Sequence, residues 1–365
     1  MLRPRGARRP PVFPFGDTST RYYYLGRNAV HALATEWRLG GEEVLFPSYC
    51  HGVELEALIA AGVQPKYYPV RSGMRVDVES IASRISGRTR AVYLIHYLGF
   101  PGAVEEVQEL CRKRGILLIE DCALALLSCK GSRPLGSFGD AAIFCLYKTL
   151  PLPHGGALYY PTESSATSSR TRSPSIASTV AYSLSSLSRY FKAHGSENVV
   201  KMIDKLRSTG VAKRESIGVR AVASPHFDPA DADLGMSALC GWIIRSLDMQ
   251  AIVARRRENY ARLRDRLQEV SLPIFPNLPQ GTCPLFYPLC VSNKEEILPM
   301  LAARNIEPVN FWSNQPTSIP AGMFPETDDL RKTIVELPCH QDLTLRDMDR
   351  IADQVCEITR GAVAA

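Results

Sequence analysis

The chain has 365 residues, 45% of them apolar and 22% charged, with a formal net charge of +6. Such values are ordinary for a soluble globular protein, and the length suits one large domain plus a smaller one. No apolar run approaches the ~18 to 20 residues of a membrane span, so a soluble, cytoplasmic protein without membrane partners is expected.

Part of the charge sits in the head Met1-Leu-Arg-Pro-Arg-Gly-Ala-Arg-Arg-Pro10. This stretch lacks the apolar core of a signal peptide, so residues 1–20 are read as a flexible basic arm. No aromatic interleaving or nucleic-acid motif accompanies its arginines, and no nucleic-acid partner is expected. The ten cysteines lie mostly inside apolar runs (Cys122, Cys145, Cys240, Cys290 and Cys356), with no C-x-x-C pair. They predict free thiols in a reducing compartment and no metal site.

In chain order, Tyr22-Tyr-Tyr-Leu-Gly26-Arg27-Asn28 leads into Val30, Leu33, Ala34 and Trp37, which recur at helical spacing. A glycine turn entering a helix leaves N–H groups free to attract an anion such as phosphate, and the Arg27 guanidinium could neutralise it directly. Strands are expected at 43–47, 64–70, 91–96 and 116–120, with helices at 52–61, 77–85 and 103–113 between them. Strands alternating with helices imply an α/β fold with a mostly parallel sheet covered on both faces. The run from Asp140 to Cys145 is again of strand type, and it delivers Lys148 to a loop with Pro151 and Pro153, followed by Gly155-Gly156.

From 161 to 190 the composition turns to Ser and Thr, a loop or poorly ordered excursion, and basic residues continue to Arg220. These close a large domain spanning 21–245. A helical pattern over 238–267 connects it to a smaller α/β domain over 246–365. That domain has strand candidates at 286–291 and 308–312, a helix at 294–304, and a last helix opened by Thr344 and Asp347, spaced as a capping box.

Lys148 and Asp121 therefore leave neighbouring strand ends, where a doubly wound sheet places its ligands. A lysine that can form a Schiff base, opposite an aspartate that can pair with a pyridinium nitrogen, is the pairing that pyridoxal phosphate chemistry requires. The adjacent Glu120 should point away, because successive strand side chains alternate faces.

Several stretches, in this order, resemble the DegT/DnrJ/StrS sugar aminotransferase family of fold-type-I pyridoxal-phosphate enzymes: Gly26-Arg-Asn-Ala29, Glu43-Val-Leu-Phe-Pro-Ser-Tyr49, Ala61-Gly-Val-Gln-Pro65, His96-Tyr-Leu-Gly-Phe-Pro101, Ile119-Glu-Asp-Cys-Ala123, Gly136-Ser-Phe-Gly-Asp140, Lys148 seven and eight residues before its glycine pair, and Leu337-Pro-Cys-His-Gln-Asp-Leu-Thr344. The resemblance implies that Lys148 forms the Schiff base with pyridoxal 5′-phosphate and moves the substrate proton, while Asp121 keeps the pyridine nitrogen protonated. It implies that His51 stacks on the ring and that Gly26, Arg27 and Asn28 bind the phosphate. Cys145 stands where the family has a phosphate-binding serine, and a thiol is the weaker donor.

Three further positions depart from the family. Leu124 stands in place of His or Gln, His154 in place of Glu, and Asp233-Leu-Gly-Met236 in place of Asn-Tyr-Arg-Met. The implied protein is a homodimer that takes an amino group from glutamate or a similar donor and delivers it to a keto acceptor, a nucleotide-linked sugar. The alternatives are a pyridoxal-binding protein without turnover, or a lyase or dehydratase. Family dehydratases carry His at the lysine position, so Lys148 argues against the last.

Overall fold

The computed structural model describes residues 11–161, 171–174 and 227–364. The first ten residues of the basic arm, most of the Ser-rich excursion and the basic segment up to Arg220 lie outside the described residues. The sequence elements, in chain order, are β1 (Thr20–Tyr23), α1 (Gly26–Glu36), β2 (Glu43–Pro47), α2 (Val53–Ala60), β3 (Gln64–Tyr68), α3 (Val78–Ala82), β4 (Thr89–Ile95), α4 (Val104–Arg114), β5 (Leu117–Asp121), β6 (Ala141–Cys145), α5 (Leu146–Thr149) and β7 (Gly156–Tyr159). There follow α6 (Ala238–Ser246), α7 (Met249–Leu267), β8 (Phe286–Cys290), α8 (Lys294–Ala303), β9 (Val309–Asn310), α9 (Pro325–Thr333), β10 (Ile334–Pro338) and α10 (Leu345–Ala364). No helix among the described residues is long and apolar enough to cross a membrane.

Seven strands form one sheet in the order β1-β7-β6-β5-β4-β2-β3. The five strands from β6 to β3 are mutually parallel, and β7 and β1 close one edge antiparallel. Helices cover both faces, so the inner strands read as continuous apolar runs rather than alternating ones; every residue of β2 and β6 is buried. The α/β fold expected from the alternation is the one observed.

One glycine fixes how the edge is built. A Cβ on Gly156 would lie 2.4 Å from the Leu25 carbonyl and 2.6 Å from the Gly26 nitrogen. The turn from β1 into α1 therefore crosses directly over β7, with no room for any side chain. This close approach seats the N-terminus of α1 against the strand end that leads to Lys148.

A second, antiparallel sheet has the order β8-β10-β9. No local pattern in the sequence predicts a strand at β10, the central one, nor at β1 or β7. The candidate at 308–312 shrinks to the two residues of β9, because Phe311 turns into the core and Trp312 adopts φ +40°. The single helix expected over 238–267 is two helices, broken at Leu247–Asp248. Asp248 accepts the Ala251 N–H at 3.1 Å and caps α7, so a polar side chain outcompetes an uninterrupted apolar period. The Thr344–Asp347 capping box forms as expected: Asp347 accepts the Thr344 N–H at 2.8 Å, and Thr344 Oγ1 accepts the Asp347 N–H at 3.3 Å.

Candidate active site

The parallel pairing of β6 with β5 sets Ile143 beside Asp121. Asp121 is the last residue of β5, and Lys148 follows three residues after the end of β6. Lys148 is not in a loop, as the two prolines suggested, but in the short helical turn α5. Its half-buried ammonium lies near enough to Asp121, Glu54 and Glu336 for its charge to stabilise all three carboxylates.

Asp121 is buried and accepts one hydrogen bond on each oxygen, from Tyr93 Oη at 2.7 Å and from the Ala123 N–H at 2.8 Å. Burial, reinforced by the Glu54 charge, raises its carboxyl to about 6, against the pull of those two donors and of Lys148. Glu120 points to the opposite face, as the strand alternation predicts. Its oxygens accept His96 Nε2 at 2.9 Å and the N–H groups of Gly136 (2.8 Å), Phe138 (2.6 Å) and Gly139 (2.5 Å).

At the other end of the site, α1 begins at Gly26 beside the end of β6. A Cβ on Gly26 would lie 3.6 Å from the Cβ of Cys145. Burial pushes the Cys145 thiol up, offset in part by Lys148, the Tyr147 side chain and the Gly26 N–H. Arg27 is half-buried at the same helix terminus, and no hydrogen bond engages its guanidinium among the described residues. Asn28 is committed elsewhere: its Oδ1 accepts the Leu25 N–H at 3.2 Å and its Nδ2 donates to the Asp231 carbonyl at 2.6 Å. Its side chain thus caps α1 and anchors residues 228–232.

His51 is exposed, with its ring edge-on to Trp312 at 6.5 Å. Its N–H donates to Glu54 Oε1 at 3.1 Å. Glu54 is a buried acid on the first turn of α2 whose carboxyl burial raises. The sequence does not distinguish it from Glu56, the other acid of the same helical turn; only the packing of α2 buries Glu54. Glu336, on β10, is a second such acid: burial raises its carboxyl to about 8, and its Oε1 has no hydrogen-bond partner among the described residues. Nothing in the local sequence marks it, because its approach to Lys148 depends on how the small sheet packs.

Of the positions that departed from the family pattern, His154 and Leu124 are built into the core. His154 is buried, stacked on Tyr24 with ring centroids 4.2 Å apart, and its carbonyl accepts the Cys240 thiol at 3.2 Å. Burial lowers its imidazole to about 4, so it is neutral at physiological pH. Leu124 is also buried in the apolar core. Gly235 bridges antiparallel to Tyr23, and the Tyr24 N–H donates to the Leu234 carbonyl at 2.8 Å, so the Asp233–Met236 stretch continues the sheet edge.

Among known proteins, the sequence profile of the DegT/DnrJ/EryC1/StrS aminotransferase family matches residues 26–356. A dTDP-4-dehydro-2,3,6-trideoxy-D-glucose 4-aminotransferase from Saccharopolyspora spinosa is 26% identical over 330 residues, covering 86% of this chain and 77% of its own. A GDP-perosamine synthase from Vibrio cholerae is 29% identical over 119 residues, 32% of each chain. Among solved structures, the aminotransferase TlmJ from Streptoalloteichus hindustanus superposes with a TM-score of 0.67 at 22% identity, covering 95% of this chain and 86% of that one. The Helicobacter pylori aminotransferase PseC gives 0.67 at 17% identity, covering 94% and 87%. These structures share the fold.

Proposed function

We propose that this chain, which belongs to the DegT/DnrJ/EryC1/StrS aminotransferase family of pyridoxal-phosphate enzymes, moves an amino group from glutamate or a similar donor to the keto carbon of a nucleotide-linked sugar. It does so as a cytoplasmic homodimer, with residues 21–245 as the cofactor-binding domain and 246–365 as the smaller one. The observation that carries this reading is the strand register that brings Asp121 and Lys148 to one edge of the sheet. The sugar nucleotide follows from what the relatives act on.

The donor set fits the cofactor. A carboxylate with one donor per oxygen retains lone pairs for a ring N–H. The start of α1, with the uncommitted Arg27 guanidinium, suits a phosphate. When bound, the cofactor supplies an electron-withdrawing ring that stabilises negative charge on the substrate carbon.

The chain supplies the rest. Asp121, held in one orientation by Tyr93 and Ala123, keeps the ring nitrogen protonated. Gly26 and Arg27 neutralise the phosphate, with Cys145 beside them and Asn28 fixing the helix start on which they sit. Lys148 accepts a proton at its Nζ from the substrate carbon and returns it, the role of a positioned general base. His51 would offer a flat ring for stacking on the cofactor.

The test is spectroscopic and covalent. Incubation with pyridoxal phosphate followed by borohydride should leave the cofactor's mass on the peptide containing Lys148, and Lys148→Ala should abolish it. L-Glutamate should bleach the bound chromophore and release 2-oxoglutarate, and a keto-sugar nucleotide should restore it. Cofactor capture with no amino acid able to bleach it would leave a binding protein, not an aminotransferase.

A further inference from the structure

The turn that carries Lys148 is only four residues long, too short to hold itself together in isolation. On its own side of the molecule it is closed by two bonds, Leu150 N–H to the Leu146 carbonyl and Leu146 N–H to the Gly155 carbonyl, each 2.9 Å. Two prolines among the next four residues contribute no N–H. Leu146 and Leu150 pack into the core, and a further polar constraint comes from a distant part of the chain. The buried Thr149 carbonyl, one residue beyond Lys148, accepts two hydrogen bonds, from Arg256 Nη2 and from Gln341 Nε2, both 3.2 Å.

These two donors are locked to each other. Arg256 Nε donates to Gln341 Oε1 at 2.7 Å, which fixes the amide with its oxygen toward the guanidinium and its nitrogen toward Thr149. Arg256 Nη1 donates to the Pro284 and Leu285 carbonyls at 3.1 and 2.9 Å, at the entry to β8. Arg256 is 2% exposed. No carboxylate pairs with it among the described residues, so its desolvation is offset by carbonyl and amide oxygens alone. A buried cation without a counter-charge is costly; what this one secures is the backbone beside the lysine.

The geometry points to Arg256 and Gln341 as positioning residues that hold the Lys148 turn from α7 and the loop after β10, so that the lysine's placement is set by how the small sheet packs on the large one. This inference rests on the aminotransferase reading for its catalytic consequence, but its structural half does not. Arg257 provides a matched control: it is the next residue of α7, and its Nη1 donates to two carbonyls, Pro279 at 2.7 Å and Thr282 at 2.8 Å, neither of them in the Lys148 turn.

The experiment compares Arg256→Met, Arg256→Lys, Gln341→Leu and Arg257→Met. In the cofactor-free full chain, amide hydrogen exchange at residues 146–150 should accelerate about tenfold in Arg256→Met and Gln341→Leu, and stay at the wild-type rate in Arg257→Met. In the loaded enzyme, the first two should lose about 10- to 100-fold in kcat with the donor KM within about twofold, the signature of a misplaced group rather than weakened binding. Arg256→Lys should recover part of the loss, since an ammonium can still reach one of the carbonyls. Unchanged exchange at 146–150, or a kcat loss in Arg257→Met equal to that in Arg256→Met, would overturn the assignment. If Arg256→Met does not fold, Gln341→Leu decides alone. If no variant turns over and wild type does not either, the functional reading fails while the exchange comparison still tests the clamp.

Discussion

Glu120 and Asp121 are consecutive residues of one strand, both buried, yet they face two different regions and meet opposite fates. On the Glu120 side, four donors fill the carboxylate: one imidazole and three backbone amides of the 136–139 turn. The His96 ring is itself fixed, since its Nδ1 accepts the Gly102 N–H at 3.1 Å and its proton therefore sits on Nε2, toward Glu120. His96, Glu120 and Cys122 bring their ligand atoms within 4.8 Å of one another, but the histidine and glutamate are already committed. On the Asp121 side each oxygen has a single donor, and the carboxyl is pushed up to about 6. A saturated carboxylate holds a fold together; a half-satisfied one beside a lysine retains capacity for something else.

The comparison breaks most visibly at Glu120. Glu120→Ala strands three backbone N–H groups and the His96 N–H in the core, and each buried donor left unsatisfied costs about 1 to 3 kcal/mol. The urea midpoint and the soluble yield should both collapse; a loss below about 1 kcal/mol, the worth of an ordinary hydrogen bond, would mean the network is not structural. Asp121→Asn should do the reverse. The isosteric amide can keep contacts with Tyr93 and Ala123, so the urea midpoint should hardly move, while kcat falls about 10²- to 10³-fold for lack of a charge at the ring nitrogen. Parallel measurement of both quantities on both variants tests the division of labour directly.

How much of this was legible beforehand follows from where each partner lies in the chain. That Glu120 and Asp121 diverge is a consequence of strand alternation, and that Asp121 shares an edge with Lys148 is a consequence of parallel connectivity; both could be read from local pattern. The glycine pair after Lys148 was visible, though not its reason, the crossing of the Leu25–Gly26 backbone over Gly156. The family resemblance implies Asn28 as a phosphate ligand, whereas its side chain caps α1 and bonds the Asp231 carbonyl, 203 residues away. Glu54, Glu336, Arg256 and Gln341 escaped for the same cause. Each reaches the site by tertiary packing, and neither period nor propensity encodes which buried polar groups will meet.

Glu336 sharpens the comparison as a third buried carboxyl, with one oxygen lacking a partner among the described residues. Burial raises it from 4.5 to about 8. Over that window the folded state keeps a proton that the unfolded chain releases, so its contribution to stability falls as pH rises from 4.5 to 8. His154, lowered from 6.5 to about 4, acts in the opposite sense: the unfolded chain holds the extra proton, and stability rises with pH between those values. The two partly cancel in wild type, and the informative quantity is the difference between Glu336→Gln and wild type. That difference should be smallest near pH 4.5 and grow in the variant's favour toward pH 8, measured by denaturant midpoints of the cofactor-free protein. A pH-independent difference would place the Glu336 carboxyl in an ordinary, ionised state.

The finest test returns to Asp121. A ring N–H is paired only by the carboxylate form, so affinity for pyridoxal phosphate should fall as pH drops through about 6. Burial is the larger cause of that raised value, and the Glu54 charge is the next. Glu54→Gln removes the charge and leaves the burial, so the midpoint of the affinity profile should move down by a fraction of a pH unit, each full unit being about 1.4 kcal/mol of differential interaction. Equilibrium binding between pH 5 and 7.5 resolves such a shift. A midpoint that stays near 6 in Glu54→Gln would assign the whole displacement to burial, and an upward move would contradict the placement of Glu54 beside Asp121. Because Glu54 also accepts the His51 N–H, the paired variant His51→Ala, which keeps that backbone donor, separates loss of the charge from loss of the ring contact proposed for His51.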